Sequence, residues 1–375
     1  VSFYAVIPAG GSGKRLWPLS RARAPKFLMP VGAGANLLQQ TLARLECLAP
    51  PANTYVVTGE SHVDRILAEA PALVPDNVLA EPFPMDSGPA IALAAAVIAQ
   101  RHPGSVMGSF AADHYIPDAA SFVDALRVAI RGAERDLLMT IGVEPTRPDP
   151  GYGYIHFDAG SEADGVYAVA RFKEKPTPAV ATAFLSTGEY LWNASMFVWR
   201  PEVFLDELRG QDPEMHRGVT SLAAAWDTPD RADALAAIWP TLTRMAVEYL
   251  VMEPASDRSR VGTVRGRFRW TDVGDFNTLG EISAPDVHGN VVIGSDEPLP
   301  PDGEPGEAAD GAVMIKDAKN LVLHPGAGKL LAAIGVEDLA VIDTEDALLI
   351  CPRDRVQEVK QLVEALSETA HSKLL

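Results

Sequence analysis

Five cations crowd one short stretch of an otherwise acidic chain. Lys14, Arg15, Arg21, Arg23 and Lys26 follow directly on Gly10-Gly11-Ser12-Gly13, while the whole sequence carries a formal charge of −18. Glycine admits φ > 0 and lets the backbone come close to a ligand. Successive N–H groups in such a turn point into an anion, and Lys and Arg side chains neutralise the remaining charge. The pattern predicts a phosphate site on the turn Gly10, Gly11, Ser12, Gly13 and Lys14, with the five cations neutralising the anion.

Two common phosphate templates fail on spacing. A P-loop requires G-x-x-x-x-G-K-[ST]; here Arg15 follows Gly13-Lys14, and Pro8 stands where the earlier glycine belongs. The dinucleotide template G-x-G-x-x-G is met by Gly11-Ser12-Gly13 and then broken by Leu16. The broken template and the want of a catalytic His–Asp grouping argue against a nicotinamide-dependent dehydrogenase. His62, His102, His114 and His156 show no metal-binding spacing.

Such a turn must be held by regular elements. Up to Gly142, short apolar runs alternate with helical patterns, which predicts an α/β fold with a mainly parallel sheet. Strands are expected at Phe3–Pro8, Thr54–Thr58, Val106–Ala111 and Leu137–Gly142, and helices at Leu37–Leu45, Val63–Glu69, Pro89–Arg101 and Ser121–Gly132. In open α/β sheets ligands bind outside the carboxyl ends of strands. Asp113, at the end of the third of these strands, is therefore expected on the same edge as the glycine turn.

From Pro150 the pattern changes to strands and turns around 151–155, 169–175 and 192–199, followed by helices between about 201 and 252. Phe268–Phe276 reads as a strand ending in a turn. Glu297–Asp310 holds four prolines, five acids and no base, which predicts a mobile loop. Beyond it, apolar runs at Val313–Ile315, Leu321–Leu323, Leu339–Ile342 and Ala347–Ile350 predict a small β-rich appendage. A last helix places Val356, Val359, Leu362, Val363 and Leu366 on one face.

The 375 residues, 47% of them hydrophobic, suffice for a substantial core and for two domains or one large domain with an appendage. The acidic balance argues against a nucleic-acid or anionic-membrane surface. Cys47 and Cys351 are far apart, without metal-ligand spacing, as reduced cytosolic thiols would be. No basic n-region opens the chain, and the longest apolar run, Ala90–Ala99, is too short to span a bilayer. The expectation is a cytoplasmic protein that binds neither nucleic acid nor membrane.

The stretch Gly10-Gly11-Ser12-Gly13-Lys14-Arg15-Leu16-Trp17-Pro18-Leu19, with Pro25-Lys26 behind it, resembles the signature of sugar-1-phosphate nucleotidyltransferases, close to G-G-x-G-T-R-L-x-P-L followed by P-K. Its continuation Ser20-Arg21 is most similar to the mannose-1-phosphate guanylyltransferase branch. Further segments resemble that branch in order: Glu81-Pro82 with Asp86-Ser87-Gly88-Pro89-Ala90-Ile91, Ala112-Asp113-His114, Gly151–Ile155, Phe172-Lys173-Glu174-Lys175-Pro176, Trp192–Phe197, Trp270–Gly274, and the tail from Gly335 to Ala347. Two departures stand out. Lys14 replaces the usual Thr, and Asp86-Ser87-Gly88 replace Asn, Thr and Ala.

The resemblance implies a Rossmann-like (GT-A-like) catalytic domain over 1–283 and a small left-handed β-helix-like domain over 284–375. It implies transfer of GMP from GTP to mannose 1-phosphate, with alternatives in another sugar 1-phosphate, such as heptose or glucose, or in a non-catalytic sugar-nucleotide-binding paralogue. Joining two polyanions calls for cations and a hard metal held by oxygen ligands. The implied roles are Mg2+ ligation by Asp113 and Asp272, triphosphate neutralisation by Arg15 and Lys26, and base recognition by Glu81 and Ser87. Gly153, Glu174, Lys175 and Asn193 would form the sugar-phosphate pocket. For both Glu174 and Lys175 to serve, a bulge or strand end must break the alternation of faces. A homodimer is also implied.

Overall fold

The structure, a computed structural model, describes all of residues 1–375 except Ser12, Gly32, Ala33, Asp296, Ala309 and Asp310. The expected backbone donor Ser12 thus lies outside the described residues. Two compact units form, and they do not follow chain order. One comprises Val1–Gly10, Thr41–Ala112 and Ile116–Trp270; the other comprises Gly11–Gln40, Asp113–Tyr115 and Thr271–Leu375.

The first unit is built on nine described strands: β1 Phe3–Ala9, β2 Thr54–Gly59, β3 Val78–Glu81, β4 Val106–Ser109, β5 Leu138–Val143, β6 Gly153–Ala163, β7 Val166–Lys173, β8 Tyr190–Trp199 and β9 Val261–Gly266. They form one sheet in the order β3-β2-β1-β4-β8-β5-β9-β7-β6. β1, β2 and β4 pair in parallel, as expected from their alternation with helices, and β3, which was not expected, extends this parallel part at the edge. Beyond them the sheet is mixed: β8 runs antiparallel to β4 and β5, and β7 to β6 and β9. A two-residue turn forces part of this. Asp164 and Gly165, at φ 56° and 84°, join β6 directly to β7, the conformation of a tight hairpin.

Helix Ser87–Arg101 is buried from Gly88 to Ile98, which explains its alanines. It packs against β1, β2 and the helices Pro201–Gln211 and Pro213–Trp226. Asp86 caps it by accepting the Ser87 N–H. A helix apolar all round belongs in a core, and this one is at its centre.

The second unit holds the C-terminal strands β10 Val291–Val292, β11 Pro305–Glu307, β12 Ala312–Lys316, β13 Val322–His324, β14 Leu330–Ile334, β15 Leu339–Asp343 and β16 Leu348–Pro352. β10, β13 and β15 stack in parallel in one sheet, and β12 and β14 stack in parallel in another, so the chain coils between two sheets. This is the β-helix-like arrangement. Val292, Val313, Ile315, Leu321 and Leu323 fill the coil. A second core joins Leu16, Trp17, Val31 and Leu37 to Val273, Phe276, Val322, Ile342, Val356, Val359 and Val363.

Three expectations are corrected. Phe268–Phe276 is not a strand: β9 ends at Gly266, and only an isolated bridge between Thr271 and Tyr115 follows. The left-handed Val273 and the capping residue Asp275 interrupt extended backbone there. The acidic stretch 297–310 contains β11, paired to β12, and Leu299 packs on the coil's core. In the last helix Leu362 is exposed while Val359 and Val363 are buried.

Candidate active site

In the second unit the glycine turn is tight. Gly11 and Gly13 sit at φ 89° and 59°. A Cβ on Gly13 would lie 2.6 Å from Ser20 Oγ and 2.9 Å from Lys26 Cβ, so glycine is required both for conformation and for space. The Leu16 N–H donates to Gly13 O at 2.8 Å and the Ser20 N–H to Leu16 O at 3.0 Å. Gly10, in the first unit, and Lys14 are exposed.

Lys26 is buried. Its Nζ lies 2.6 Å from Asp113 Oδ2 and donates to the Asp272 main-chain oxygen at 2.5 Å. The structure thus brings Lys26, Asp113 and Asp272 together from three distant parts of the sequence. The residues beside the two aspartates are locked to each other: Tyr115 and Thr271 exchange backbone hydrogen bonds of 3.0 and 3.1 Å. Burial by itself would raise the Asp113 carboxyl, but the Lys26 ammonium and His114 outweigh it and hold the group below its usual range. Asp272 is followed by Val273 at φ 48° with no exposure at all. A β-branched residue in the left-handed region costs roughly 1–3 kcal/mol and marks backbone held under strain at a site.

Of the other expected cations, Arg15 donates from Nη1 to Gln357 Oε1 at 2.8 Å. Arg21 is not a free phosphate ligand: it is bonded to Asp346 and to the Leu374 carbonyl. Asp275 uses one carboxylate oxygen to cap helix Phe276–Gly280 and the other to accept from Gln357. Among the described residues no group of three or more His, Cys, Asp or Glu is arranged to hold a metal. A hard divalent cation commonly takes only one or two carboxylates from a protein, so a pair is within that number.

In the first unit a second group gathers. Gly153 on β6 pairs with Asn193 on β8. A Cβ on Gly153 would lie 2.2 Å from Glu174 Oε2, which accounts for the glycine. β7 ends at Lys173, and Lys175 adopts φ 42°, so Glu174 and Lys175 escape strand alternation. Their head groups are 3.7 Å apart, Glu174 with 13% and Lys175 with 66% of its side chain exposed. Burial, then the nearby Glu248 carboxylate, pushes the Glu174 carboxyl up to about 7.

Glu248, which motif reading missed, is buried at the start of a π-helix, Glu248–Met252. Its Oε1 accepts from Ser195 Oγ at 2.7 Å and from Asn193 Nδ2 at 3.3 Å. Asn193 Oδ1 accepts the N–H of Ser195, itself at φ 48°. The signal that could have exposed Glu248 is a lone acid inside the apolar run Ala246–Met252.

The Asp86-Ser87-Gly88 departure has a structural account. Ser87 Oγ accepts the Val247 N–H at 3.0 Å, and the Gly88 N–H donates to Met245 O at 3.0 Å. A Cβ on Gly88 would lie 2.3 Å from that carbonyl. Both residues therefore dock the segment that carries Glu248. Glu81, at the end of β3, is buried, and burial pushes its carboxyl up to about 7. Its Oε1 and Glu174 Oε2 are buried without hydrogen-bond partners among the described residues. Such orphaned acceptors cost about 1–3 kcal/mol each and mark places where a ligand can donate.

A family model described as nucleotidyl transferase matches residues 4–288, and one described as a MannoseP isomerase/GMP-like beta-helix domain matches 311–366. The mannose-1-phosphate guanylyltransferase of Escherichia coli K12 is 36% identical over 97% of this chain and 73% of its own length. The alginate biosynthesis protein AlgA of Pseudomonas aeruginosa is 34% identical over 98% of this chain and 73% of its own. A crystal structure from Thermus thermophilus, described as a mannose-1-phosphate geranyltransferase, superposes with a TM-score of 0.84 at 30% identity, covering 98% of this chain and all of that one. The strained carboxylate–lysine cluster, the glycine turn and these likenesses agree: the chain belongs to the nucleotidyl transferase family, in the group of the mannose-1-phosphate guanylyltransferases.

Proposed function

We propose that the chain transfers GMP from GTP to mannose 1-phosphate, giving GDP-mannose and pyrophosphate, with Mg2+ as cofactor. The observation that carries this reading is the meeting of Lys26, Asp113 and Asp272 beside the glycine turn. An oxygen of the sugar phosphate attacks the α-phosphorus in line. The bond from that phosphorus to the bridging oxygen breaks, and pyrophosphate leaves with the electron pair. The nucleophile is already an anion, so positioning and charge neutralisation carry the catalysis.

Asp113 and Asp272 would hold Mg2+ through carboxylate oxygens. When bound, the ion supplies neutralisation of charge on the departing pyrophosphate. Arg15, Lys26 and the N–H groups of the glycine turn bind the triphosphate. Glu81 accepts from the N1–H and N2–H donors of guanine. Lys175, exposed, contacts the sugar phosphate, while Glu174 and Asn193 read sugar hydroxyls. In this reading 1–283 is the catalytic domain and 284–375 the β-helix-like one, close to the ranges of the two family models. The protein is cytoplasmic, and no helix of the described residues is long and apolar enough to cross a membrane. A homodimer completes the reading; exposed Leu330, Ile334, Leu348 and Ile350 offer apolar surface for it.

The test is pyrophosphate release with Mg2+, crossing GTP, ATP, UTP and dTTP against mannose, glucose and heptose 1-phosphates. Release confined to GTP with mannose 1-phosphate is expected. Release with a different pair would move the specificity. Folded protein that binds sugar nucleotide yet releases nothing with any pair would overturn the catalytic reading.

A further inference from the structure

Two arginines of the phosphate turn meet the C-terminal part of the second unit, with opposite electrostatic outcomes. Arg21 is bonded to the Asp346 carboxylate, which neutralises it. Arg15 has one hydrogen-bond partner among the described residues, the neutral side-chain amide of Gln357. An amide oxygen orients a guanidinium and leaves its charge in place. The other end of that amide is also fixed, because Gln357 Nε2 donates to Asp275 Oδ2. A guanidinium only donates and a carboxylate only accepts, so one orientation of the amide satisfies both.

Neither end of this bridge is loosely held. Asp275 Oδ1 caps helix Phe276–Gly280 through the Asn277 and Thr278 N–H groups, three residues after Asp272. Gln357 lies in the helical turn Arg353–Glu358, pinned by the buried Val356 and Val359. Arg353 adds two more ties: its Nε donates to Asn277 Oδ1, and its carbonyl accepts from Asn277 Nδ2.

We propose that Gln357 is a positioning residue for the triphosphate site: it aims Arg15 without neutralising it, so the C-terminal segment completes the site formed by the glycine turn. The inference rests on the reading of Arg15 as a triphosphate ligand. It assigns the turn Arg353–Glu358 a part in nucleotide affinity that packing alone would not.

The test is a double-mutant cycle on the full chain, reading the affinity for GTP and for inorganic tripolyphosphate by calorimetry, and KM by pyrophosphate release. Arg15→Ala and Gln357→Ala are each expected to weaken both ligands roughly tenfold, the loss typical of one charge-assisted contact. The double variant is expected to be no weaker than Arg15→Ala, since both changes remove the same interaction. KM for mannose 1-phosphate and the thermal midpoint should stay where they are. Gln357→Glu keeps the size but sets a carboxylate against both Arg15 and Asp275, and should weaken GTP more than Gln357→Ala. It serves as the second variant should Gln357→Ala unfold.

Additive effects, or a Gln357→Ala protein that binds both ligands like wild type while Arg15→Ala does not, would overturn the proposal. A fall in thermal midpoint that tracks the loss of affinity would make Gln357 merely structural and would overturn it too. If Arg15→Ala itself changes neither ligand's affinity, the reading of Arg15 as a triphosphate ligand fails, and the proposal falls with it. Wild-type protein that binds GTP yet turns over no substrate pair would instead sink the catalytic reading, leaving the cycle to be judged on binding.

Discussion

Asp113 combines demands that few side chains meet: a carboxylate that stays ionised although largely buried, and two oxygens that can serve a cation. Lys26 secures the first from 2.6 Å. Asp113→Asn keeps the shape and removes the charge, so turnover is expected to fall by at least about a hundredfold to a thousandfold. Circular dichroism should stay unchanged. Near-wild-type pyrophosphate release by this variant would exclude Asp113 from the metal site. Glu174 poses a different question, because its carboxyl titrates near 7. Its folded pKa is raised, so the proton is held below about 7 and lost above it. The neutral acid can both donate to and accept from a sugar hydroxyl, whereas the carboxylate repels a sugar phosphate. KM for the sugar phosphate is therefore expected to rise as pH climbs through 7, and Glu174→Gln should flatten that rise. An identical pH profile in the variant would assign the titration to another group, the substrate phosphate included. The same shift lowers stability as pH rises from about 4.5 to 7, by no more than roughly 3 kcal/mol.

Elements impose their own requirements. Helix Ser87–Arg101 begins with three residues that depart from the family pattern, and each has work in the backbone. Asp86 caps the helix, Ser87 holds the Val247 N–H, and Gly88 admits the Met245 carbonyl. That contact sets the segment from which Glu248 reaches Asn193 and Ser195. Gly88→Ala would put a Cβ 2.3 Å from a main-chain oxygen that no rotamer change can relieve. It should destabilise the fold by about 1–3 kcal/mol and raise KM for the sugar phosphate. Thermal unfolding and steady-state kinetics would show both, and an unshifted midpoint would mean that the two segments are free to part. The left-handed residues Asp86, Lys175 and Ser195 of the first unit, and Val273 of the second, each sit in a motif segment, where backbone strain can redirect a neighbouring side chain.

At the scale of the molecule, the second unit gathers the glycine turn with the C-terminal strands, although the two lie at opposite ends of the chain. Leu16, Trp17, Val31 and Leu37 share a core with Val322, Ile342, Val356, Val359 and Val363. Removing residues 284–375 would expose these N-terminal apolar groups, each worth about 1.5–3 kcal/mol when buried, and strip Arg15 and Arg21 of their partners. The truncated chain is expected to aggregate and to lose activity, as sedimentation and pyrophosphate release would report. An active, monodisperse 1–283 fragment would show that the C-terminal strands are dispensable for both folding and turnover.

The sequence by itself determined the parts whose information is local. A glycine turn loaded with cations, a carboxylate after a buried strand and the alternation of apolar runs with helices are all legible over a few residues. On that basis β1, β2, β4, β5, the glycine turn and the place of Asp113 could be read, and the family resemblance added Lys26 and Asp272; the short strand β3, Val78–Glu81, left no such local signal. The strained Val273 could not, because nothing in a Val-Gly pair announces φ 48°. Only the tertiary structure decided that Lys26 bridges both aspartates, that Arg21 is neutralised, and that Ser87 serves backbone docking. Glu248 and Gln357 were invisible for the same physical reason. Their partners lie far off in the chain, 342 residues away for Arg15 and Gln357, and such a contact leaves no periodicity or spacing behind. It is set by which apolar faces must be buried together, and that is settled only when the whole chain folds.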